Sequence, residues 1–176
     1  MKQIVLTGTG GQGLILAGII LAEAAVLDGK QAIQTQSYGP EARGGASKAE
    51  VLIADEPIDY PKVQKADTVL AMSQEAFNKY SAAAGEGAKL IVDSTFVREL
   101  KETKAQLIAL PITKAAREEL GRDMFANIIA LGAIVGLTGT VSRDSLEKAV
   151  LDRVPKGTED KNRKALDLGF QLAKQG

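Results

Sequence analysis

The stretch from Lys2 to Leu27 leaves this chain few choices. Ile4-Val5-Leu6-Thr7 is a short apolar run, Gly8-Thr9-Gly10-Gly11-Gln12-Gly13 follows at once, and Leu14 to Leu27 is apolar, Ala-rich and free of proline. The pattern predicts a strand over Lys2 to Thr7, a glycine turn, and a helix over Gln12 to Leu27 closed by Asp28-Gly29, where a C-cap glycine belongs. Glycines so dense let the backbone enter positive φ and let a ligand approach without meeting a Cβ. The unpaired N–H groups and positive dipole end of the helix would face that turn, an arrangement suited to an anion.

The spacing Gly8-x-Gly10-x-x-Gly13 satisfies the dinucleotide fingerprint, between a strand and a helix as that motif requires. NAD binding would also call for a carboxylate at the end of the second strand, about 20 residues on. That strand, Gln31 to Gln36, ends Ile33-Gln34-Thr35-Gln36. A phosphate-loop NTPase needs Lys and Ser or Thr after the last glycine, and Leu14-Ile15 stand there instead. A stand-alone nicotinamide oxidoreductase is therefore one alternative with a missing part. The other is a scaffold whose glycines serve only close packing of helix on strand.

Further along, a right-handed crossover would lay Gln31 to Gln36 beside the first strand. Ser37-Tyr38-Gly39-Pro40-Glu41-Ala42-Arg43-Gly44-Gly45 reads as a loop leaving the same sheet edge as the glycine turn, where open α/β sheets bind ligands. Ser47 to Ala54 alternates and, with no helix before it, is expected to be antiparallel. Asp67 to Met72, Lys89 to Asp93 and Gln106 to Leu110 read as strands, with a helix at Gln74 to Ala84. Helical patterns fill the last third at Lys114 to Leu120, Met124 to Leu137, Arg143 to Val154 and Glu159 to Gln175. The sum is an α/β chain, a Rossmann-like, mostly parallel sheet flanked by helices with a helical C-terminal third, forming one domain over 1–176.

Two segments are greasy nearly all round. In Met124 to Leu137 the only polar residue is Asn127, and Gly132-x-x-x-Gly136 offers a flat stripe for another backbone. Asn127 is either a hydrogen-bonded core amide or a ligand group. The first helix is equally apolar, and the two faces together exceed what one monomer is expected to cover.

The chain has no cysteine and no histidine. Iron-sulfur clusters, structural zinc and the commonest nucleophile-base pairs are thereby excluded. A formal charge of zero and 4% aromatic residues argue against nucleic acid and anionic membranes as partners. No leader pattern is visible, and Phe125 to Leu137 is too short to span a bilayer, so a cytoplasmic location is expected.

Gly10-Gly11-Gln12-Gly13, the Tyr38-Gly39-Pro40-Glu41-Ala42-Arg43-Gly44-Gly45 run and the Asn127-headed apolar helix, in that order, resemble the gamma subunit of 2-oxoacid:ferredoxin oxidoreductases over essentially the full length. The resemblance leans to the 2-oxoglutarate group. It implies an enzyme complex in which thiamine diphosphate with magnesium, and iron-sulfur clusters, lie on partner chains: alpha, beta and a ferredoxin-like delta subunit, with ferredoxin as the electron acceptor. It also implies that this chain helps bind coenzyme A. The residues so marked are Gly8, Gly10, Gly11, Gln12, Gly13, Tyr38, Glu41, Arg43, Gly44 and Asn127, with no catalytic residue and no metal ligand among them.

Overall fold

The computed structural model describes residues 1–37 and 46–176. The first strand, β1 (Lys2–Gly8), feeds through a 3₁₀ turn at Gly10–Gln12 into α1 (Leu14–Leu27). The helix starts two residues later than its pattern suggests, because Gly13 adopts φ 73° and separates the tight turn from the α-helix. At the other end Gly29, at φ 80°, closes the helix as expected.

Next come β2 (Gln31–Ser37), β3 (Ser47–Ala54) and β4 (Ala66–Ala71), then α2 (Gln74–Tyr80), β5 (Ala84–Asp93) and β6 (Gln106–Leu110). Ala84 and Gly85 belong to β5 and not to the helix, so that strand is longer than its apolar half implied. The remaining helices are α3 (Ile112–Ala115), continued by a wider π turn at Ala116–Leu120, then α4 (Ala126–Thr138), α5 (Arg143–Arg153) and α6 (Glu159–Ala173).

The six strands lie in the order β2-β3-β1-β4-β5-β6. β1, β4, β5 and β6 are mutually parallel, while β3 is antiparallel to both β1 and β2. The expected antiparallel third strand is thus present, but β2 does not lie beside β1; β3 stands between them. The reason is packing under α1. A Cβ on Gly18 of α1 would come within 3.2 Å of the Ala49 Cβ, so the helix sits closest on β3, whose Ala49, Val51 and Ile53 face it. β2 still runs in the same direction as β1, since two antiparallel steps restore it.

One face of the sheet carries Ile4, Leu6, Leu70, Ile91 and Ile108 under α1 and the C-terminal helices; the other carries Val5, Val69, Leu90 and Val92 under Phe77 of α2. β1 therefore exits to a helix on one face and β4 to a helix on the opposite face. That reversal opens a crevice at the carboxyl ends of β1 and β4, the place where open α/β sheets bind ligands.

α4 is covered within the chain. A Cβ on Gly132 would reach the Leu166 carbonyl oxygen at 2.6 Å, and one on Gly136 the Ala173 Cβ at 2.6 Å, so the glycine stripe accepts α6 in backbone contact. α1 is the helix left partly open, with Val26 59% and Leu27 45% exposed. Among the described residues no helix is long and apolar enough to cross a membrane.

Candidate functional site

The turn after β1 is held by its own glutamine. Thr9 donates its backbone N–H to Gln12 Oε1 at 2.7 Å, and Gln12 Nε2 donates to the Met72 carbonyl at 2.9 Å, so both ends of the amide are used in tying the turn to the exit of β4. Gln12 thus positions the turn.

The glycines divide into two pairs. A Cβ on Gly8 would run into Leu14 Cδ1 at 2.5 Å, and one on Gly13 into Asn127 Nδ2 at 2.6 Å, at a positive φ besides. Packing alone requires those two. Gly10 and Gly11 have no atom within 4 Å of a built Cβ, and neither has positive φ. Nothing in the fold explains why they are glycine, and both stand in the 3₁₀ turn that leads through Gly13 into α1.

A cleft of about 770 Å³ opens beside them, within the size range of small-molecule sites. Thr9, Gly11, Gln12 and Gly13 form one wall; Ser73 and Gln74, at the start of α2, form the floor; Phe96, Thr113, Asp123, Met124, Ala126 and Asn127 complete it. These are the residues that follow the carboxyl ends of β1, β4, β5 and β6, together with the head of α4. Thr9, Ser73, Gln74, Phe96, Thr113, Asp123, Met124 and Ala126 were not among the site residues read from the sequence. A strand-end rule, applied to Met72-Ser73 and to Leu110-Pro111, points to the floor; nothing in the sequence shows that the loop after β5 turns back over the cleft.

Each wall is fixed from beneath. Asp93, fully buried at the end of β5, accepts from the Thr113 hydroxyl at 2.5 Å, the Thr113 N–H at 3.2 Å and the Thr95 N–H at 3.1 Å, which locks Thr113 in place. Gln74 Oε1 accepts from the N–H groups of Arg98 and Glu99 at 2.8 and 2.9 Å, and so carries the loop bearing Phe96. Phe96 is 38% exposed. The Arg117 guanidinium lies 5.3 Å from its centroid and is itself gripped by Asp123 through bonds of 2.6 and 2.9 Å. That pairing lowers the pKa of Asp123 and raises that of Arg117.

Asn127, 7% exposed in the first turn of α4, donates Nδ2 to the Gly13 carbonyl at 3.2 Å. Its Oδ1 is buried and has no partner among the described residues. Turning the amide over would oppose two acceptors, so its orientation follows from Gly13. An acceptor left in that state costs about 1–3 kcal/mol, which a donor on a ligand would recover.

The structure therefore brings Gly11, Gln12, Gly13 and Asn127 to one cleft, with Gly8 and Gly10 in the same turn. Tyr38, Glu41, Arg43 and Gly44 lie outside the described residues. The residues flanking that segment are at the turn: Ser37 and Thr7 share the partner Lys48 across β3, and the Ser47 hydroxyl donates to the Gly8 carbonyl at 3.3 Å. The cleft offers hydroxyls, amides, backbone N–H groups and the Asp123 carboxylate with an apolar rim, and no thiol or imidazole. Among the described residues no cluster could hold a metal ion.

A sheet with a cleft at this switch point, a glycine turn and a covering C-terminal helix pair define a Rossmann-like α/β subunit, and the chain belongs to the pyruvate ferredoxin/flavodoxin oxidoreductase family, whose model matches residues 3–172. The 2-oxoglutarate synthase subunit KorC of Methanocaldococcus jannaschii is 52% identical over 99% of this chain and 95% of that one; the protein of the same name from Methanothermobacter marburgensis is 47% identical over 99% and 98%. The crystal structure of the keto/oxoacid ferredoxin oxidoreductase gamma subunit from Geobacter sulfurreducens PCA superposes with a TM-score of 0.91 at 51% identity, covering all of both chains. The resemblance carried by the two glycine-rich motifs is borne out: this is a gamma-type subunit of a multi-subunit oxidoreductase, not an enzyme complete in itself.

Proposed function

We propose that this chain serves a 2-oxoglutarate:ferredoxin oxidoreductase complex by binding coenzyme A in the cleft, as the acceptor of the acyl group released from thiamine diphosphate on partner chains. Alpha, beta and ferredoxin-like delta subunits complete the complex, magnesium and the iron-sulfur clusters lie on those chains, and ferredoxin takes the electrons. The names of the relatives at 52% and 47% identity support 2-oxoglutarate as the oxoacid.

The observation that carries the reading is the pair Gly10 and Gly11, open to the solvent side and unexplained by packing. Coenzyme A presents a pyrophosphate, for which N–H groups at a helix start and side-chain-free backbone are a fitting receiver. Arg43 is assigned a forked contact to the same phosphates, and Asn127 Oδ1 would accept from a donor on the coenzyme. The scaffold alternative leaves those two glycines and the bare Oδ1 without a reason. A nicotinamide dinucleotide would want a carboxylate at the end of β2, which closes instead with Thr35, Gln36 and Ser37.

The test is Gly11→Gln in the assembled complex. At an unstrained φ with open space around it, the substitution should leave the subunit folded while filling the cleft, and the KM for coenzyme A should rise by about tenfold or more. A KM for coenzyme A equal to that of the parent complex overturns the reading.

A further inference from the structure

One flank of α1 is left uncovered beside the end strand of the sheet. Ile15, Ile19, Ala22 and Val26 follow one another at intervals of four, three and four residues, the spacing that keeps a seam of side chains turned toward a second helix. None of the four is buried, whereas Ala17, Leu21 and Ala24 on the opposite flank are enclosed. Ala22 and Val26 share with Ala32 of β2 a groove of about 500 Å³, so the open flank looks out over β2. That strand is the last on its side of the sheet. Its run Gln31-Ala32-Ile33-Gln34-Thr35 has no charge and no proline, and it pairs with β3 in unbroken register, without a bulge. Strand edges left to water are ordinarily blunted by one of those devices.

We infer that a second copy of this chain covers both surfaces, with its β2 antiparallel to this one across a two-fold axis, so that the two sheets become one and the two α1 helices lie side by side. The charge pattern selects a copy over a different chain. Near a two-fold axis each residue meets its own counterpart, so a lone charge there would face a like charge, whereas a surface meant for a different chain is free to carry charges matched by opposite ones. The β2 run and the α1 seam carry none, and Glu23, the single ionisable residue of α1, accepts from Arg153 Nε of α5 at 2.9 Å.

The distances agree. A Cβ on Gly18 would lie 3.2 Å from the Ala49 Cβ of β3 and 3.5 Å from the Gln34 Cγ of β2, so α1 rides over the gap between those strands, half a strand spacing inside β2. A copy paired to β2 puts the axis half a spacing outside it. From helix to axis is thus one spacing of about 4.8 Å, and from α1 to its copy about 10 Å, at which helices pack. None of these residues lines the cleft, so the inference is independent of what the cleft binds.

The purified full chain should sediment at twice the 18.5 kDa of one chain. Ile19→Glu sets two carboxylates against each other near the axis and should raise the dimer dissociation constant about a hundredfold or more. Mixing that variant with Ile19→Lys should restore the dimer, which misfolded chains could not do. Because the chain has no cysteine, a single introduced one reports its neighbour. Ile19→Cys should join to its own copy through a short bis-maleimide, in the free chain and in the assembled complex, whereas Leu100→Cys, exposed between β5 and β6, should not. A parent chain that sediments as a monomer, or a dimer indifferent to Ile19→Glu, overturns the inference. So does a cross-link in the complex from position 19 to a different subunit, which would give the surface to that subunit.

Discussion

Gly13 and Asn127 answer each other across 114 residues of sequence. Any side chain at Gly13 would meet the Asn127 amide and also have to take up φ 73°. Gly13→Ala should cost about 1–3 kcal/mol in urea unfolding of the subunit and raise the KM for coenzyme A, because the displaced amide borders the cleft. Equal midpoints for parent and variant would show that the turn relaxes freely. Arg43→Ala should raise the KM for coenzyme A in the complex by the equivalent of about 1.5–3 kcal/mol, the range of a lost charge-assisted hydrogen bond; impaired assembly with an unchanged constant would make Arg43 an interface residue. At this scale the sequence pointed to Gly13 and Asn127 separately but not to the bond between them. Gln12 stands inside the glycine motif and reads as a ligand group, yet its amide is consumed by Thr9 and Met72, a fact that depends on where β4 ends and so on the assembled sheet.

Asp28 works between residue and element. It caps α5 from the end of α1, accepting from the Ser142 N–H at 2.6 Å, the Ser142 hydroxyl at 2.7 Å and the Ser145 hydroxyl at 2.6 Å. Burial raises its pKa, but the hydrogen bonds from Ser145 and Ser142 outweigh that and leave it lowered. A carboxylate whose folded pKa lies below its unfolded one stabilises fully above the unfolded value, about 3.9, and loses the contribution as pH falls through the folded value. Asp28→Asn should therefore lower the melting temperature at neutral pH and flatten its acid dependence below about pH 4; parallel curves for parent and variant would remove Asp28 from the account. The α4–α6 pair was legible in one half only. Gly132-x-x-x-Gly136 announced a close backbone contact, but its counterpart Gly169, where a Cβ would crowd the Ile129 carbonyl and come within 2.8 Å of the Ala133 nitrogen, sits in an ordinary-looking amphipathic helix. Gly169→Ala should destabilise by at least about 1–3 kcal/mol through forced separation of the helices, measurable by denaturant melts. The insertion of β3 between β2 and β1 was illegible because the crossover rule says which hand a connection takes, not which strand arrives next to which.

For the whole molecule, the sheet class, the helical last third and the missing redox ligands were all legible from periodicity and composition. What could not be read was which strand ends converge, since Phe96 and Thr113 reach the cleft only through the order of β4, β5 and β6. Without a cysteine or a histidine, the purified subunit should neither decarboxylate a 2-oxoacid nor reduce a viologen dye, and activity in a rigorously pure sample would contradict its place as a component. The contact of Gly13 with Asn127 also has a meaning for synthesis. Chains are made from the N-terminus, so the glycine turn leaves the ribosome long before the helix that completes its cleft, and α4 in turn is covered only when α6 has followed. Through most of its own translation this subunit can have a sheet without a site. Nascent chains ending near Thr138 should leave α4 open to hydrogen exchange, whereas chains extended past Ala173 should protect it, so that the wall of the cleft is fixed only with the last helix.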